Sequence, residues 1–414
     1  MGKNKFGHTL YNVGAKTHVL YISPSKSQIL VEAQEVLLGV LGIAESLLYS
    51  SSQPAKWQVI DNVKRLTGSI SRNSNTVKKY RGSRGSHPCH KFTAWSIFLI
   101  LISLSGCGVI MRIAVMGAGS IGGYFGGMLS QSGHDVTLIA RGKHLETIRK
   151  DGLKILNDDG HFLVKCDATD DLTSIGVVDL VLLTVKTYQN EMAIPPLRSL
   201  IDSKTSILCL QNGMDSYQSI TRLLQIQDPL PGAAYIEASV QSPGIIRQSG
   251  TVVKIVFGEL NGTLSSRGTE IQNVLSESQI DSQFTTNILK TLWTKFLFIS
   301  TMAGITCLAR ETVAQLVPKQ DWSDIITDCM KEIEAVGRGN NINLDNDVVK
   351  TTMDYIIESL DTMQASMHTD LMAGRPLELD ALNGAVVRAG KLADIPTPIN
   401  SLIYAMLKPY ELGS

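Results

Sequence analysis

From Met111 onward the sequence predicts an α/β fold, a doubly wound sheet followed by an all-helical region, on three observations. Short apolar runs at residues 112–116, 136–140, 179–185 and 206–210 recur at the spacing of strands separated by helices. A glycine-rich turn joins the first run to a helix of small residues. After residue 286 strand signals stop, and helical periodicity takes over at residues 287–308, 322–337, 345–367 and 377–392.

The 414 residues, 43% hydrophobic and 18% charged, are enough for two cores and an appendage. Net charge is zero, but the balance is uneven. Residues 1–110 hold 13 Lys and Arg against 4 Asp and Glu, leaving 25 against 34 for the body. An acidic body calls for no nucleic-acid partner. Six cysteines, none in a two-residue pair, read as reduced thiols of a cytoplasmic protein without a metal site.

Residues 1–110 form an extension of a different character. Residues 72–90 are a polar run without apolar period, which reads as disordered or as sequence not native to the protein. Residues 94–110 lack any charge and are nearly long enough to span a bilayer. Three readings follow: upstream sequence read in frame before a functional start at Met111, a membrane anchor, or an ordered extra domain. The strand beginning at Arg112 favours the first, because an anchor without a linker would press the sheet edge into lipid headgroups. A membrane partner is expected only if 94–110 is an anchor.

The turn reads Gly117-Ala118-Gly119-Ser120-Ile121-Gly122. A bare G-x-G-x-x-G is weak evidence, but here a strand enters it, a helix leaves it and a second strand follows at βαβ spacing, which makes a Rossmann-type dinucleotide site. Gly117 permits the tight turn, Gly119 lets backbone N–H groups approach a pyrophosphate, and Gly122 lets helix and strand pack closely. The helix N-terminus then faces the phosphates.

The end of the second strand reports on the nucleotide. An NAD site usually offers a carboxylate there; this chain offers Arg141, with Lys143 or His144 nearby, suited to the 2′-phosphate of NADPH. The later strands end in Lys186 and in Gln211-Asn212-Gly213-Met214, placing Lys186 and Asn212 to reach the nicotinamide half. In the helical region Lys295 stands alone among Trp293, Phe296 and Phe298, a setting that otherwise suits a snorkelling surface lysine.

GAGSIGG after an N-terminal strand, Arg141, Lys186 in TVKTYQ, Asn212 in QNGM, Trp293-Thr294-Lys295, Ser366 in QASMHTD and the run Arg375 to Gly384 lie along one chain. With these motifs, residues 111–414 resemble the ketopantoate reductase family, NADPH-dependent enzymes of pantothenate and coenzyme A synthesis. The resemblance implies a NADP-binding domain over 111–286 and a helical substrate and catalytic domain over 287–414. It implies that Lys295 is the catalytic lysine, Glu378 the acidic residue beside it, Ser366 a hydroxyl for the substrate carboxylate, and Ala238 a backbone contact to the cofactor. Asn212 would serve substrate and cofactor alike, and a homodimer is compatible.

One departure stands out. Family members often carry asparagines one and two turns after the lysine, and here those places are Ile299 and Ala303. The resemblance thus supports reduction of a 2-oxo acid more strongly than reduction of ketopantoate to pantoate. A reductase of the same fold acting on another oxo acid or ketone, and a non-catalytic NADP(H)-binding sensor, remain as alternatives. In the catalytic readings, a lysine with a pKa lowered by burial donates the proton, while Glu378 holds it in place.

Overall fold

The computed structural model describes residues 110–413 apart from 159 and 360–364. The expectations for residues 1–109, including nearly all of the apolar run before Met111, lie outside the described residues.

Ten strands form one sheet among the described residues: β1 (Arg112–Met116), β2 (Asp135–Ile139), β3 (Leu153–Asn157), β4 (Gly160–Val164), β5 (Asp167–Thr169), β6 (Leu180–Leu183), β7 (Ser206–Cys209), β8 (Leu230–Ser242), β9 (Ile245–Phe257) and β10 (Asp281–Phe284). Their order is β4-β3-β9-β8-β7-β6-β1-β2-β5, with β10 on the far end of β9. From β5 to β8 every pair is parallel. The chain order reverses at β1, which lies between β2 and β6. In an open α/β sheet that reversal opens a crevice at the strands' carboxyl ends.

The β6 sequence LVLL shows why this half is parallel and covered. Leu180 and Leu182 belong to one core and Val181 and Leu183 to another, as a two-residue period requires of a strand buried on both faces. The first core receives Phe125 and Leu129 from α1 (Ser120–Gln131) and Ile148 from α2 (Gly142–Asp151). The second receives Ile220 from α3 (Gln218–Leu224). Beyond β8 the sheet is mixed: β8–β9 and β3–β4 are antiparallel, β9 pairs parallel with β3 and β10, and the β8–β9 hairpin runs thirteen residues on each side with two register shifts. These long strands, and the β3–β4 hairpin, were not among the elements expected. Helix α4 (Ser266–Glu277) leads into β10.

The helical region centres on α5 (Ile288–Ala309), which is apolar on nearly all sides and therefore buried. It passes the length and hydropathy test for a membrane span, yet most of that window is enclosed by protein. Around it pack α6 (Gln320–Gly339), α7 (Val348–Glu358), α8 (Ser366–Met372), α9 (Ala385–Leu392) and α10 (Pro398–Leu407), sharing a core that includes Phe296, Met330, Ile333, Leu379 and Ile403.

Two expected helices are not continuous. The segment 345–367 is helical only to Glu358, and α8 begins separately at Ser366. Within 377–392, Asp380–Gly384 forms a π turn before α9, closed by Gly384 N donating to Leu379 O at 3.0 Å. Asn383, fully buried, gives its amide to Ser300 O and Asn400 Oδ1, which fixes the bulge against α5 and α10.

The glycine turn shows why two of its glycines differ. A Cβ on Gly122 would collide with Gly117 O and Thr184 Oγ1, whereas one on Gly119 meets nothing within 4 Å. Gly122→Ala is therefore expected to lose about 1–3 kcal/mol in urea unfolding, while Gly119→Ala stays within about 1 kcal/mol of the parent. Equal losses at both positions would rule out close packing as the reason for Gly122.

Candidate active site

Four of the expected site positions lie at the carboxyl ends of the central strands. Gly117 follows β1, Arg141 follows β2, Lys186 lies just beyond β6 and Asn212 just beyond β7. Gly117 takes φ +103°, a conformation that glycine adopts without steric cost, and a Cβ there would meet Val185. Gly117 N and Ala118 N both donate to Ile139 O, and Thr184 Oγ1 donates to Gly117 O. Gly119 O accepts from Gly123 N.

What remains are donors. The N–H groups of Gly119, Ser120, Ile121 and Gly122 have no partner among the described residues. The first turn of α1 carries no acidic residue and its N-cap makes no side-chain bond. Together with the open space over Gly119, this suits a bound anion. Arg141, at the N-cap of α2, is exposed and its side chain makes no hydrogen bond or ion pair among the described residues, and the same holds for the side chain of Lys143. His144 corrects an expectation. Its Nδ1 accepts from Gly244 N at 3.0 Å and its Nε2 lies 2.8 Å from Ala118 O, so both ring nitrogens are engaged and neither serves a 2′-phosphate.

Lys295 projects from α5 toward the sheet edge. Its Nζ donates to Ala234 O at 2.7 Å and Asn212 Oδ1 at 3.1 Å, and lies 5.5 Å from the Tyr235 ring centroid. Burial pushes its pKa down from 10.5 to about 8, against a smaller upward pull from Glu378. The snorkelling alternative fails on this geometry.

Glu378 does not hold Lys295 in place, and that expectation is also corrected. Its Oε2 accepts from Lys186 Nζ at 2.7 Å, and its Oε1 from Thr187 N at 3.2 Å and Thr187 Oγ1 at 3.3 Å. Asn212 and the Ala234 carbonyl do the holding instead. Lys186 also lies 3.5 Å from Asp370, which takes a 2.8 Å bond from Arg375. Burial by itself would lower the Lys186 pKa, but Glu378 and Asp370 outweigh it and raise the value.

The sequence profile of the ketopantoate reductase PanE/ApbA family matches residues 113–262, and the profile of its C-terminal part matches residues 287–411. The chain belongs to the ketopantoate reductase family. It is therefore an oxidoreductase. It is 27% identical over 301 residues to an uncharacterized oxidoreductase of Bacillus subtilis, covering 73% of this chain and 99% of that protein. It is 28% identical to a 2-dehydropantoate 2-reductase of Pyrococcus horikoshii, covering 73% of this chain and 98% of that protein. A D-mandelate dehydrogenase solved with NADH and anilino(oxo)acetate superposes with a TM-score of 0.68 at 26% identity, over 73% of this chain and 98% of that one.

Within this ketopantoate reductase framework the remaining residues fall as follows. Ser366 is exposed at the first position of α8, and Asp370 one turn later on the same face reaches Lys186. Ala238 pairs with Gln248 in the β8–β9 ladder and packs against the sheet core. Ala234, four residues earlier on the same strand, is the one that touches Lys295. Ile299 is half-buried and Ala303 buried, both packed in the helical core, and neither side chain offers a hydrogen bond. Sequence reading missed Ala234, Thr187 and Asp370. Thr187 follows Lys186 directly and Asp370 follows Ser366 by four, so their signal lay in motifs already singled out.

The lowered pKa sets the sign of a pH test. Proton donation by Lys295 requires the ammonium form, so turnover is expected to fall as pH rises through about 8. Between about 8 and 10.5 the unfolded lysine binds more protons than the folded one, so this group adds stability as pH rises there. Rate loss over that range without loss of the thermal midpoint is the expected pair; a profile flat to pH 10 would exclude Lys295 as the proton donor.

Proposed function

We propose that the protein reduces a small 2-oxo acid with NADPH, with residues 111–286 holding the dinucleotide and 287–414 supplying the catalytic lysine. The observation that carries this reading is Lys295: an ammonium has three donors, two are taken by Asn212 and Ala234, and one is left for a carbonyl oxygen.

The bound cofactor supplies a hydride to the keto carbon. The residues Gly117, Ala118, Gly119, Ser120, Ile121 and Gly122 cradle the pyrophosphate, Arg141 meets the 2′-phosphate, and Lys186, Asn212, Ala238 and Glu378 lie toward the nicotinamide. Charge developing on the substrate oxygen meets the Lys295 ammonium, which stabilises it and gives up a proton to make the hydroxyl. Ser366 receives the substrate carboxylate. Glu378, fixed by Lys186 and Thr187, exerts a field that favours the charged form of Lys295.

Ketopantoate, reduced to pantoate in the cytoplasmic synthesis of pantothenate and coenzyme A, is the first substrate to test. Ile299 and Ala303 support a second reading, an oxo acid with a more apolar side chain, because they place hydrocarbon after the lysine on its own helix face. The structural neighbour that binds anilino(oxo)acetate is a precedent for such a substrate on this fold. NADPH consumption across ketopantoate and a series of branched and aromatic 2-oxo acids decides between the two readings.

Arg141→Ala is expected to weaken NADPH by a charge-assisted contact of about 1.5–3 kcal/mol while sparing NADH; equal weakening of both removes the 2′-phosphate assignment. Lys295→Ala should leave NADPH affinity nearly unchanged and lower turnover by a factor on the order of 10²–10⁴. Near-normal turnover by a folded Lys295→Ala protein would refute the proton-donor role.

A further inference from the structure

The peptide between Ala118 and Gly119 lies in the phosphate-facing turn, and its plane turns about the Ala118 ψ and Gly119 φ bonds. Gly119 has no side chain to restrict the second of these, and a Cβ there would meet nothing within 4 Å. The neighbouring peptide is tied on the sheet side, where Thr184 Oγ1 donates to Gly117 O at 2.8 Å. The Ala118 carbonyl has one side-chain partner, the ring of His144 at 2.8 Å.

The ring's protonation follows from its second contact. Gly244 N–H donates to Nδ1 at 3.0 Å, so Nδ1 carries a lone pair and the proton of the neutral ring sits on Nε2. Nε2 therefore donates to Ala118 O. Gly244, at φ +75° in the turn between β8 and β9, is held in turn by Lys154 N, which donates to its carbonyl at 2.9 Å. The imidazole thus joins the start of α2, the hairpin turn and the glycine turn.

A trans peptide points its C=O and N–H in opposite directions, and no peptide among the described residues is cis. A carbonyl drawn to His144 turns the Gly119 N–H the other way, to the side where that donor meets no protein acceptor. Without the histidine the plane is free to rotate and present an oxygen to an anion. We propose that His144 is a positioning residue of the dinucleotide site, which fixes the Ala118–Gly119 peptide so that the Gly119 N–H faces the pyrophosphate. The proposal rests on the dinucleotide reading above. It assigns His144 a contact common to NADH and NADPH, distinct from the 2′-phosphate contact assigned to Arg141.

The test compares His144→Ala, His144→Gln and His144→Asn in the full chain, measuring NADPH and NADH dissociation constants by calorimetry together with thermal midpoints. The Gln amide nitrogen reaches the place of Nε2, whereas an Asn side chain reaches only the place of Nδ1. Loss of one oriented donor is expected to weaken both dinucleotides alike, about fivefold to tenfold, in the Ala and Asn proteins. Gln restores most of that affinity. Should the Ala protein fail to fold, the contrast between Gln and Asn reads the same effect. The proposal is overturned if all variants bind like the parent, if Asn rescues as well as Gln, or if NADPH alone is weakened. A parent protein that binds neither dinucleotide would remove the cofactor reading itself, and this proposal with it, by a result independent of the variants.

Discussion

An ammonium group withdrawn from water is expensive, and Lys295 is carried by a largely enclosed helix to a place where that cost shows in its pKa of about 8. The arrangement around it follows from that constraint. Two oxygens, from Asn212 and Ala234, satisfy two of its donors, and the Tyr235 ring lies near. Both acceptors come from the sheet, so the lysine only has its partners when the helical region is docked on the strand ends. The same desolvation that destabilises the cation brings its proton affinity near neutral pH, the range in which a general acid works best.

The second tie across the crevice is ionic. Lys186 and Thr187 leave the sheet after β6, and Glu378 stands just before the π turn of the helical region. Glu378 is 5% exposed and accepts three hydrogen bonds, so its charge is well compensated for its burial. Asp370 draws the same lysine from α8, the helix that also begins with Ser366. A residue read as a cofactor ligand from sequence is thus also a strut between the two regions.

Strand-end residues were legible because the βαβ pattern has a fixed geometry. Once Gly117 to Gly122 is recognised as a turn after β1, Arg141, Lys186 and Asn212 must fall on one edge of the sheet. The long β8–β9 hairpin was not legible, since its outer half is largely exposed and its apolar residues do not alternate cleanly around two register shifts. The π turn escaped notice for a related reason: its cause is Asn383 bonding to Ser300 and Asn400, partners 83 and 17 residues away. The pairing of Glu378 with Lys186 rather than Lys295 spans 192 residues, and local sequence pattern carries no record of which of two lysines a carboxylate chooses.

The ion pair at Lys186 also bears on how the crevice can open. Parting the strand ends from the helical region at this point means breaking a 2.7 Å charge pair to a nearly enclosed carboxylate. The lysine end is 36% exposed. Counterions can reach it, and at physiological ionic strength they act over roughly 8 Å. Dissolved salt therefore acts as a lubricant on this side of the molecule, easing the separation of the two regions at the ion pair itself.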